Sequence, residues 1–123
     1  MEFSCRAVDE SFLASAPMRF VNEVVLDAPP EAVFRMFEDG DSWSKWIKGI
    51  KGVEWTSPKP FGVGTTRTVT LDAMKVKEYF FIWEQNKRFT FYFVSTGVPF
   101  VKALCEDYVL EPVGEGKTKF TYT

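Results

Sequence analysis

The hydrophobic pattern changes period twice along the chain. From Met18 to Asp27, Phe20, Val24 and Leu26 alternate with Arg19, Glu23 and Asp27. That period of two predicts a half-buried strand, with Asn22 on its inner side. Ala28-Pro29-Pro30 breaks the strand, and Pro30 is preset for the first turn of a helix. Glu31 suits that helix N-terminus, and Val33, Phe34 and Phe37 form an apolar stripe at helical spacing. Gly40 is expected to end the helix. Asp41 or Ser42 then caps a second short helix carrying Trp43, Trp46 and Ile47.

After Gly49 and Gly52 the period returns to two. Val53 and Trp55 make a short strand, followed by segments 65–72, 75–84, 88–95, 102–111 and 117–123. Turn chemistry separates most of these segments, at Ser57-Pro58, Gly62 to Gly64, Gln85-Asn86-Lys87, Gly97-Val98-Pro99 and Pro112 to Gly116. A strand, two short helices and a long antiparallel meander read as one α+β domain over residues 18–123. Residues 1–17 show no period and end at Pro17. They are expected to be a loose arm with at most one helical turn.

Alternation also sorts the faces of the sheet. Arg67, Val69 and Leu71 share one face of the 65–72 strand, and Val76, Glu78, Phe80 and Ile82 share one face of the next. Phe89, Phe91 and Phe93 follow, then Leu104, Glu106, Tyr108 and Leu110, then Thr118, Phe120 and Tyr122. The concave wall is therefore apolar except for Arg67, Glu78 and Glu106. A buried unpaired charge costs several kcal/mol, so these groups need partners. A hairpin joining Leu71 to Val76 would put Arg67 opposite Phe80 and diagonal to Glu78, within reach of an ion pair. That pair is either a polar anchor for a ligand or an internal salt bridge that fixes strand register.

Composition sharpens this picture. Thirteen Phe, four Trp and four Tyr in 123 residues suit the wall of a pocket, although a filled aromatic core is the alternative. The chain has no histidine. Ser-His-Asp and Cys-His catalysis and histidine-based metal sites are therefore excluded, and neither a metal nor a cofactor is expected. With 15 Lys+Arg against 17 Asp+Glu, no nucleic-acid surface is expected; Lys45, Lys48 and Lys51 read as a solvated face. The charged start Met1 to Arg6 and the short apolar run Phe12 to Ala16 do not make a secretory signal. No run approaches the length of a membrane span. Cys5 and Cys105 are expected as reduced thiols in the cytoplasm, and Cys105 falls on the outer face with no base beside it. Gly62-x-Gly64 precedes a strand and lacks a following Gly-Lys-Ser/Thr, which argues for a turn rather than a phosphate loop.

Several motifs together carry a family resemblance over about 105 residues. They are Ala28-Pro29-Pro30-Glu31-Ala32-Val33-Phe34, Trp43-x-x-Trp46, Gly62-x-Gly64-x-x-Arg67, Glu78 with Trp83-Glu84, and Glu106-x-Tyr108-x-Leu110-x-Pro112 before Gly116-Lys117-Thr118. The chain resembles the START-like (SRPBCC) helix-grip superfamily, in its polyketide cyclase/dehydrase and lipid-transport branch. The resemblance implies a strongly curved seven-stranded antiparallel sheet with two short helices around a cavity for apolar molecules. It also implies a long C-terminal helix, which does not follow Thr123. The expectation is a chain cut short, or a partner chain, such as a second copy in a homodimer, over the open face. An intact mass near 14.1 kDa would rule out a missing tail.

Matching positions make Arg67 and Glu78 expected polar cavity residues, and Trp46 and Tyr108 expected wall residues. Trp55, Phe80, Phe89, Phe91, Phe93 and Glu106 complete the expected ligand-binding set. The expected function is binding or transport of a small hydrophobic molecule, such as a lipid, fatty acid or polyketide-like compound. One alternative is a polyketide cyclase or dehydratase, with Glu78 as general acid/base and Arg67 or Tyr108 polarising a carbonyl. A second is an interaction or stress-response module without a ligand.

Overall fold

The computed structural model describes every residue except Met1 and Ala73. The sheet comprises β1 (Phe3–Ser4), β2 (Asn22–Leu26), β3 (Ile50–Trp55), β4 (Thr66–Leu71), β5 (Lys75–Glu84), β6 (Arg88–Thr96), β7 (Cys105–Pro112) and β8 (Thr118–Tyr122). The helices are α1 (Phe12–Ser15), α2 (Pro30–Glu38) and α3 (Trp43–Trp46), with a 3-10 turn at Gly40–Ser42. Seven strands form the curled antiparallel path β2-β8-β7-β6-β5-β4-β3, and β1 adds to β6. The architecture is the α+β helix-grip arrangement expected from the sequence.

Helix α2 starts as its sequence dictates, with Pro30 in the first turn, and buries Val33, Phe34 and Phe37. The Phe37 ring lies 5.4 Å from Phe89, 5.4 Å from Tyr108 and 5.3 Å from Phe120, so this single side chain ties α2 to three strands. The last carbonyls of a helix have no partner within it. Here side chains supply them. The Ser42 hydroxyl reaches the Met36 carbonyl at 2.6 Å. Trp43 Nε1 donates to the Phe37 carbonyl at 2.8 Å, and Trp55 Nε1 to that of Glu38 at 2.9 Å.

The helix stops at Glu38, before Gly40. The expected cap also differs: Asp39 accepts from the Asp41 amide, while the Ser42 hydroxyl is turned back onto α2. Gly40 is needed for a different reason, because a Cβ there would lie 2.6 Å from the Val53 carbonyl oxygen.

Several other expectations need correction. Strand β2 is shorter than 18–27 and exposed, with Val24 at 49%, and Phe20 lies before it at 66%. The strand pairs on one side only, with β8, and of its five residues only Leu26 packs against the core. Asn22 does share the concave side, opposite Tyr122. The arm is not loose. Phe3 pairs with Thr96 and Ser4 with Ser95, the Cys5 amide donates to the Val94 carbonyl, and α1 supplies one helical turn.

The β4–β5 register also differs from the expected pairing of Leu71 with Val76. Val69 faces Val76, which puts Arg67 directly opposite Glu78 instead of diagonal to it. Ala73, within that connection, lies outside the described residues.

A bulge overturns the placement of Ile82. Phe80 pairs with Phe91, but Ile82 pairs with Thr90 and Trp83 with Phe89. One extra residue on β5 exchanges the faces beyond it. Ile82 therefore turns to the outer side, while Trp83 packs against Phe80 and Phe89.

Candidate functional site

The concave side holds a cavity of about 430 Å³ between α3 and strands β4 to β8. Its charged end is built across neighbouring strands. Arg67 on β4 lies opposite Glu78 on β5, Glu78 opposite Phe93 on β6, and Phe91 on β6 opposite Glu106 on β7. The two carboxyls thus flank β6 on a diagonal. Arg67 is 2% exposed and donates from Nε to Glu78 Oε1 at 2.5 Å. Its guanidinium carbon lies 4.5 Å from the ring centre of Trp43, 4.8 Å from Phe91, 5.1 Å from Phe80 and 5.4 Å from Trp55. Four aromatic faces therefore replace part of the hydration that Arg67 has lost. Its Nη1 is buried without a hydrogen-bond partner.

Burial dominates the protonation of this cluster. It raises Glu78 to about 7 against the pull of Arg67, and the neighbouring Glu106 adds to the rise. Burial also raises Glu106, opposed by Tyr122, Arg67 and Tyr108. The Tyr108 hydroxyl donates to Glu106 Oε1 at 3.3 Å. Burial together with Glu106 holds the Tyr108 phenol well above its ordinary value. Near neutral pH the cluster can therefore give up or accept a proton at Glu78.

The expected site residues separate into two groups. Arg67, Glu78, Trp46, Phe91, Phe93, Glu106 and Tyr108 line the cavity. Trp55, Phe80 and Phe89 do not. Phe80 and Phe89 are fully buried beneath the wall, and Trp55 packs against Phe61 and caps α2. They support the site from below instead of facing a ligand. Sequence reasoning missed Trp43, which covers Arg67, and Tyr122, whose ring lies 5.2 Å from Tyr108 and whose phenol is raised by burial and by Glu106. The alternation that put Tyr122 on the inner face was a sufficient signal for it. Cys105 lies off the cavity wall, with its thiol pushed up to about 12 by burial and by Asp107 and Glu106, which makes it a poor nucleophile.

A larger depression of about 700 Å³ lies between the arm and residues 100–105, and meets the first at Glu106 and Tyr122. The buried charges belong to the smaller hollow. No helix among the described residues is long and apolar enough to cross a membrane.

The family described as polyketide cyclase/dehydrase and lipid transport matches residues 17–123. The chain belongs to this family. Uncharacterised proteins from Mycobacterium bovis and Mycobacterium tuberculosis are 38% identical over 122 residues, covering 98% of this chain and 72% of each relative. Among solved structures, a START superfamily protein from Mycobacterium smegmatis matches with a TM-score of 0.70 at 12% identity, over 84% of this chain and 72% of that one. An aromatase/cyclase from a Streptomyces species matches with a TM-score of 0.70 at 11% identity, over 84% of this chain and 63% of that one. Identities this low establish the shared fold and no more.

Proposed function

We propose that this chain binds a small hydrophobic molecule in the hollow of its sheet, with the molecule's polar end at Arg67, Glu78, Glu106 and Tyr108. The carrying observation is the joining of an aromatic wall to one buried ion pair and a second carboxyl at the end of a cavity of about 430 Å³. An apolar pocket with a few convergent polar groups is the common form of a small-molecule site. The family description, which includes lipid transport, supports the same reading. The unpaired thiols Cys5 and Cys105 fit a cytoplasmic setting.

Native mass spectrometry of freshly purified protein tests the proposal, together with displacement of a neutral fluorescent dye such as Nile red. A co-purifying apolar compound, or saturable dye binding, supports it. Repeated absence of both removes it.

One observation favours a second reading, catalysis of a cyclisation or dehydration. Glu78, a carboxyl held near 7, shares its cavity with the Tyr108 phenol that donates to Glu106, an arrangement suited to proton transfer at neutral pH, and the aromatase/cyclase shares the fold. Glu78→Gln separates the two readings: it abolishes turnover in an enzyme, but changes only affinity in a carrier.

A further inference from the structure

The charges of the cavity constrain what can occupy it. Among the described residues Arg67 is the only cation in the buried part of the wall, and its one unpartnered donor, Nη1, is itself buried out of reach of the hollow. Its Nε is bonded to Glu78, and four rings enclose its guanidinium. Among the described residues Glu106 makes no salt bridge; the Tyr108 hydroxyl donates to it over a long 3.3 Å, and the neighbouring Tyr122 phenol also favours its charged form, which leaves part of its acceptor capacity open. The remaining cation on the lining, Lys48, is exposed at the mouth, where water screens it.

A carboxylate or phosphate pushed to the charged end would lose its hydration, meet no free cation and face two carboxyl groups. A group that donates a hydrogen bond would instead fill the open acceptor capacity of Glu106.

We infer that the cavity selects uncharged ring compounds whose polar end carries a hydroxyl, donated to Glu106, and rejects those whose polar end is a carboxylate. The aromatic faces of Trp43, Phe91, Phe93 and Tyr108 fit a flat ring system behind that hydroxyl. The raised protonation of both carboxyls agrees with the arrangement, since neither has enough compensating charge to remain an easy anion. The inference rests on the binding function proposed above and narrows it to a chemical class.

Three compounds that differ in one group test it by isothermal titration calorimetry at pH 7: 2-naphthol, 2-naphthoate and 2-methoxynaphthalene. Nile red, carried in parallel, reports whether the cavity binds apolar molecules at all. The naphthol should bind about tenfold or more tightly than either of the others, the upper end of what one buried hydrogen bond contributes. Glu106→Gln should reduce the preference of naphthol over naphthoate to about threefold or less, because it halves the acceptor capacity and adds an N–H donor that a carboxylate can use, while Nile red still binds.

Nile red binding with equal affinities across the series, with tighter naphthoate, or with no naphthol binding overturns this inference and leaves the binding function standing. Failure of Nile red and all three compounds overturns both. The comparison on the unaltered protein decides the matter even if the variant fails to fold.

Discussion

Glu78 should make this protein less stable as the solution becomes more basic through the neutral range, and Glu78→Gln should remove its share of that dependence. The carboxyl is 4% exposed, and burial raises it from an ordinary 4.5 to about 7. The folded state therefore holds the proton more tightly than the unfolded chain does. Its contribution is fully present below about pH 4.5 and is lost as pH rises through about 7. At about 1.4 kcal/mol per pH unit, that difference is worth about 3 kcal/mol. Glu106 is raised in the same sense and adds to the slope. Glu2 and Asp9 are shifted down, so they act below the window of interest.

The assay is urea unfolding between pH 5 and 8, followed by the fluorescence of the four tryptophans. Glutamine keeps the shape and an oxygen acceptor for Arg67, but it cannot titrate. The stability of the original protein minus that of the variant should fall by about 2.5 kcal/mol from pH 5 to pH 8. Curves that stay parallel across that range would show that Glu78 titrates alike in the folded and unfolded chains, which would refute the argument from burial.

Three other outcomes follow from the packing. Trp43→Phe removes the hydrogen bond to the Phe37 carbonyl and part of the cover over Arg67, and should cost about 2–3 kcal/mol in urea unfolding. Gly40→Ala drives a methyl group into the Val53 carbonyl and should cost about 2 kcal/mol, read as a lowered thermal midpoint. The β5 bulge predicts unequal neighbours: Ile82→Thr should cost less than about 1 kcal/mol and Trp83→Ala about 2–4 kcal/mol, measured side by side.

Much of the site could be read from alternation alone, because a strand with one buried face repeats its side chains at a fixed period. Arg67, Glu78, Glu106, Phe91 and Tyr108 all fall on the concave side as that period requires. What escaped was whatever breaks or completes the period. The β5 bulge adds a residue without any glycine or proline to mark it, so Ile82 and Trp83 exchange sides. The opposition of Arg67 to Glu78 depends on how many residues the β4–β5 turn consumes, which residue type alone does not fix. Phe80 and Phe89 share the inner face with the wall residues, yet Trp55 and Trp83 pack on Phe80 and α2 packs on Phe89, and only tertiary packing distinguishes lining from support.

The pairing of β1 has a consequence for association. Strand β7 accompanies β6 only from Arg88 to Tyr92, and Phe3 to Cys5 take up the same side of β6 from Val94 to Thr96. Without those three residues, a row of amides and carbonyls in the middle of the molecule would be left as a template for another chain's strand. A short leading segment that contributes almost nothing to the core thus guards the protein against aggregation.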